Sequence, residues 1–132
     1  MAHFHEVLDE LAPPARALHE AIPGVLAGCA QIKRAAMGEG ELSPKTKELI
    51  ALAIAITREC DGCIAAHARG AARRGATSAE VAEMIGVTIM MNGGPALTWG
   101  PRALAAFEEF SDEFFRIVDE LLHAHRALLL LV

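Results

Sequence analysis

The 132-residue chain contains no tyrosine, a single tryptophan and five phenylalanines. So small an aromatic set offers no platform on which bases could stack. A basic block is missing as well: 12 Lys and Arg face 17 Asp and Glu, for a net charge of −5. A polyanionic backbone finds no footprint on such a chain, which excludes nucleic acid as a partner. Long hydrophobic runs are also absent. The longest, Leu49 to Thr57, falls well short of the ~20 residues a membrane-crossing helix needs, and Ala127 to Val132 is shorter still. The opening Met1-Ala2-His3-Phe4-His5-Glu6 has neither a charged nor a hydrophobic leader region, so no secretory signal is expected. Cysteine is scarce, at three residues. An odd count without a leader points to a reducing compartment, and a cytoplasmic location is expected.

What the chain does have is apolar bulk. Hydrophobic residues make up 53% and charged residues 22%, and the mean hydropathy is +0.32. That composition excludes disorder, and the length suits one domain over 1–132. A domain this small exposes much of its surface, so the apolar excess is expected to be hidden by self-association.

β-Branched alternation is absent and alanine is abundant, so the chain reads as all-helical. A first helix is expected over residues 3–12, stopped by Pro13-Pro14. A second runs from Pro14 to Leu26, interrupted near Pro23-Gly24, and helix continues from Cys29 to Met37 before the Gly38-Glu39-Gly40 loop. Ser43-Pro44 is a strong start signal, serine as N-cap and proline in the first turn. The helix from Pro44 to about Arg58 is apolar nearly all round and is expected to be buried. Another begins near Cys60 and ends at Arg73-Arg74-Gly75, making a central antiparallel hairpin. Thr77-Ser78-Ala79-Glu80 is a capping box opening a helix to about Met91. After the Asn92-Gly93-Gly94-Pro95 break, helices are expected over Pro95–Phe110, with a kink at Gly100-Pro101, and from Asp112 to the end.

The chemistry concentrates in Glu59-Cys60-Asp61-Gly62-Cys63-Ile64-Ala65-Ala66-His67. Residues three and four apart share a helix face, so Cys60, Cys63 and His67 fall in one stripe. Cα atoms three apart on a helix stand ~5 Å from each other, within the ~4.4–6.8 Å a disulfide requires. The pair can therefore open and close with little backbone change. His67 lies one turn beyond Cys63, which makes Cys63 the thiol its imidazole reaches; Cys60 has the helix N-terminus instead. Cys63 is read as the attacking thiolate and Cys60 as the resolving thiol. Glu48 sits at the edge of an apolar run, where a lone charge is costly. Counted back from the turn, it stands at about the depth of His67, which it is expected to orient; Glu59 adjoins the turn and is read as solvated.

The pattern Glu48-x11-Cys60-x2-Cys63-x3-His67 resembles that of the AhpD-like alkylhydroperoxidases in the carboxymuconolactone decarboxylase superfamily. The resemblance covers roughly residues 40–110, including the Gly-Gly-Pro break. It implies an all-α bundle assembling as a homo-trimer or homo-hexamer. It also implies reduction of organic hydroperoxides, with a lipoylated or thioredoxin-like protein returning the disulfide to thiols. Glu48, Cys60, Cys63 and His67 match the proton-relay positions. The chain departs at Gly62, where AhpD has a second relay histidine. Decarboxylating members lack the cysteine pair, which disfavours that reaction here.

Other residues receive plainer readings. Cys60, Cys63 and His67 make only three potential zinc ligands where a structural site takes four, so neither metal nor cofactor is expected. Cys29 reads as core, as do Met84, Met90 and Met91, with a hydrophobic peroxide pocket as the alternative role for the methionines. Trp99 is left open between the same two roles. His3, His5, His19, His123 and His125 read as structural, and Arg69, Arg73 and Arg74 as a solvated helix end, with an anionic partner surface as the alternative.

Overall fold

Six α-helices account for the secondary structure of residues 2–130, the part described by the computed structural model, and no strand occurs among them. They are α1 (His3–Ala21), α2 (Pro23–Met37), α3 (Pro44–Thr57), α4 (Asp61–Arg73), α5 (Ser78–Asn92) and α6 (Gly94–Leu129). Residues 131–132, expected at the end of the last helix, lie outside the described residues, as does residue 1.

Local chemistry sets most boundaries. Ser43 Oγ accepts from the Thr46 amide at the start of α3, and the Thr77–Glu80 capping box forms in full at the start of α5. Gly75 and Gly93 take positive φ after α4 and α5, a conformation that costs glycine nothing. Two expected breaks fail to appear. The α1 helix runs through Pro13 and Pro14 instead of stopping at them. The carbonyls deprived of a donor are those of Asp9 and Glu10, both on exposed residues, where water can serve them. The chain does break at Ile22, beside the interruption expected near Pro23-Gly24. The boundary expected between Phe110 and Asp112 is also absent, since α6 is one helix of 36 residues; it runs through Gly100 and Pro101, with the unpartnered Leu97 carbonyl on an exposed residue.

The core is built around α4, which packs against α1, α3 and α6. Its inward face carries Ile64, Ala65, Ala68, Ala71 and Ala72; four alanines let the neighbouring helices approach closely. Phe107, Leu52, Ile56, Ile64 and Val81 are the largest fully buried side chains. At Gly100 the approach of α5 is tighter still, since a Cβ there would stand 2.7 Å from Ile85 Cγ2. The expected central burial of α3 holds on one side only. Leu52, Ala55 and Ile56 are buried, while Ile50 and Ile54 are exposed and face α5 across an apolar groove that Val87 and Met91 also line. No residue of α2 is buried, and α6 beyond Phe110 contributes none to the core.

Candidate active site

The turn between α3 and α4 puts both sulfurs at the start of α4. Glu59 takes φ 54°, reversing the chain, and Cys60 becomes the N-cap of α4. The Cys60–Cys63 disulfide is closed, with Cα atoms 5.2 Å apart, and the Cys63 amide donates to Cys60 Sγ at 3.2 Å. A sulfur thus takes the capping position usually held by a hydroxyl or carboxylate oxygen. On reduction it lies at the positive end of the helix dipole, which favours thiolate. Cys63 is exposed and Cys60 half-buried, leaving Cys63 the more open to a substrate.

His67 and Glu48 meet as the spacing predicts. Nδ1 of His67 lies 2.8 Å from Glu48 Oε2, and the glutamate side chain is only 13% exposed. An ionised carboxylate can only accept, so Nδ1–H donates. The Nε2 lone pair is then left to act as base, on the same side of α4 as Cys63 four residues earlier. The contact needs Gly70, which sequence reading did not single out. A Cβ there would stand 2.5 Å from the Glu48 carboxyl carbon; the bare backbone is the seat of the carboxylate. Glycine one turn after the histidine was the only available signal.

A second unforeseen residue is Arg102 on α6. Its Nη2 lies 2.8 Å from Asp61 Oδ2 and 3.1 Å from Oδ1, and its guanidinium stands 4.9 Å from the centre of the Trp99 ring. His3 Nε2 approaches the same aspartate at 3.8 Å. The negative charge between the two cysteines is thereby paired, and the turn is tied to α6. Forty-one residues separate the partners, so no local pattern announces them. Gly62, where the relay histidine of AhpD-like proteins is missing, packs under α1: a Cβ would stand 2.8 Å from Leu11 Cδ1. A larger side chain there has to displace Leu11.

Elsewhere, corrections and agreements are mixed. Cys29 is exposed and free on α2, not core, because α2 lies outside the core altogether. Met90 and Met91 are 74% and 77% exposed, not core, and Met91 lines the apolar groove between α3 and α5; Met84 does pack on the core. Trp99 is half-buried against the core and stacked by Arg102. Glu59 is exposed, as expected. His5 is structural in a definite way: its two ring nitrogens bind Glu109 and Glu113, fastening α1 to α6. The hydrogen bond with Glu113, then that with Glu109, raises its pKa above 6.5 against the opposing effect of burial. Burial works against ionisation of Glu109, but hydrogen bonds from the His5 ring and from the His5 and Phe4 amides outweigh it and hold that carboxyl below its usual range.

Comparison with known proteins bears on the family and the fold. Residues 23–109 match the model of the carboxymuconolactone decarboxylase family. An uncharacterized protein of Cupriavidus necator is 36% identical over 101 residues, covering 76% of this chain and 89% of its own. Uncharacterized protein 4 in the cox locus of Paracoccus denitrificans is 37% identical over 78 residues, 59% of this chain and 70% of that one. The crystal structure of apo-lpg0406, a carboxymuconolactone decarboxylase family protein from Legionella pneumophila, superposes with a TM-score of 0.82 at 35% identity, covering 84% of this chain and 99% of that one. With that fold, and with the match spanning α2 to α6, the chain belongs to the carboxymuconolactone decarboxylase family as an AhpD-like member.

Proposed function

We propose that the protein is a thiol-dependent peroxidase for organic hydroperoxides, with Cys63, Cys60, His67 and Glu48 as its working residues. The observation that carries this is the cysteine pair at the head of α4, one turn from an imidazole whose Nδ1–H is held by a nearly buried carboxylate. In the reduced protein His67 Nε2 takes the Cys63 proton, directly or through one water. The thiolate attacks the peroxide: an S–O bond forms, the O–O bond breaks, and the alkoxide leaves with the proton His67 returns. Sulfur loses two electrons to become the sulfenic acid, and the alcohol is the reduced product. The Cys60 thiol then displaces hydroxide from that sulfur, which departs as water once protonated, and the disulfide closes. An external dithiol, a lipoylated or thioredoxin-like protein, reopens it by exchange and is itself oxidised to a disulfide. The working assembly is proposed as a homo-trimer or homo-hexamer.

The test is turnover of cumene hydroperoxide with a dithiol reductant. Cys63→Ser is expected to fall to background, and Cys60→Ser to stop after one equivalent with a trappable sulfenic acid. Turnover by Cys63→Ser at the wild-type rate contradicts the assignment. Gly62 in place of a second relay histidine favours one alternative, a thiol–disulfide exchange or redox-sensing module. That alternative predicts a measurable Cys60–Cys63 reduction potential together with a negligible peroxide rate.

A further inference from the structure

Along α4, Cys63, Ala66, Gly70 and Arg73 are spaced by three, four and three residues and share one stripe. Its two small members form the floor of a cavity of about 610 Å3 between α2 and α4, within the ~300–1,000 Å3 typical of small-molecule sites. Five cations line it: Lys33 and Arg34 from α2, Arg69 and Arg73 from α4, and Arg74 from the C-cap of α4. None of the five is in an ion pair among the described residues. The one acid on the wall, Glu48, is engaged by His67. In a chain of net charge −5, this concentration of positive charge in a concave site runs against the average. Low-dielectric walls focus the field of like charges on an anion entering between them. Met37 and Ala66 supply apolar surface in the same cavity.

Distance fixes the kind of anion. At ~1.5 Å rise per residue, Arg69 lies ~9 Å and Arg73 ~15 Å along the axis from Cys63. A head group held by these arginines therefore needs a chain about that long to present its other end to the sulfur. We propose that the cavity binds a single-chain anionic amphiphile, a carboxylate or phosphate head seated among the five cations with the tail running past Ala66 toward Cys63. The preferred hydroperoxide would then carry such a head group. The substrate assignment rests on the peroxidase reading; the binding does not.

Calorimetric titration of the oxidised full-length protein, with no peroxide present, tests it using octanoate, octyl phosphate, 1-octanol and inorganic phosphate. Both amphiphilic anions are expected to bind, at least tenfold more tightly than octanol or inorganic phosphate, and more weakly as salt is added. The double variant Arg69→Gln/Arg73→Gln is expected to lose tenfold or more in affinity. If that variant melts early, Lys33→Gln/Arg34→Gln on the opposite wall gives the same readout. Octanol binding as well as octanoate, inorganic phosphate binding as well as octyl phosphate, or unchanged affinity in both double variants overturns the proposal. So does binding of an oligoglutamate peptide alone, which would make the site an acidic-protein surface. Failure here leaves cumene hydroperoxide turnover untouched, and failure of turnover leaves this titration readable.

Discussion

The proposed relay depends on a position that has no side chain. The Glu48 carboxylate rests on the bare backbone of Gly70, and from there reaches His67 at 2.8 Å. A methyl group at Gly70 removes that seat and with it a charge-assisted hydrogen bond of about 1.5–3 kcal/mol. Alanine is also the better helix former by about 1 kcal/mol, so the two effects oppose each other in stability but not in activity. Gly70→Ala is therefore expected to cut peroxide turnover on the order of 10²-fold, the lower end of what losing a general base costs, with a small shift in melting temperature. Gly86→Ala is the control: it is helical and its Cβ would meet nothing within 4 Å, so it should gain stability and keep its activity. Equal turnover by Gly70→Ala and wild type would contradict the role given to Glu48. That Glu48 meets His67, and that Cys60 and Cys63 pair, was legible in the sequence because helical spacing and the cost of a lone charge beside an apolar run are local facts. Gly70 and Arg102 were not, since what they do depends on a helix that arrives from elsewhere in the chain.

Among the helices, the punctuation was legible where a side chain caps the backbone. Ser43 and the Thr77–Glu80 box act within three residues, and both ends form as expected. Proline was misleading at Pro13-Pro14, because the penalty there depends on whether water can reach the orphaned carbonyls, which only the packed structure decides. The attachment of α1 to α6 is a pH-sensitive joint between elements. His5 lies between Glu113 and Glu109, and both raise its pKa above 6.5. A histidine whose folded pKa exceeds its unfolded value stabilises fully below about pH 6.5 and loses that contribution as pH rises through the raised value. Thermal melts of His5→Gln against wild type are thus expected to differ most near pH 6 and to converge at alkaline pH. A constant difference from pH 5.5 to 9 would contradict the clasp.

At the scale of the whole molecule, the apolar excess of the composition reappears as uncovered surface. Ile50 and Ile54 on α3, Val87, Met90 and Met91 on α5, and Leu97 on α6 are all more than 45% exposed. Patches of this kind mark contact surfaces, consistent with the proposed trimer or hexamer. Sequence composition registered the excess without locating it, because an all-round apolar helix looks the same whether its outer side meets its own chain or another copy. Ile54→Asp is expected to shift the mass measured by light scattering toward the single chain of 14.0 kDa; an unchanged mass would place the interface elsewhere. Above all, the molecule is read as a scaffold that presents one activated thiol. Alkylation rate against pH, measured on the reduced Cys60→Ser and Cys63→Ser variants, tests this most directly. Cys63 in the first variant should react as a thiolate well below the ~8.5 of a free cysteine, with the midpoint moving upward when His67 is also replaced by alanine. Two sulfurs that both titrate near the free value, indifferent to His67, would contradict it.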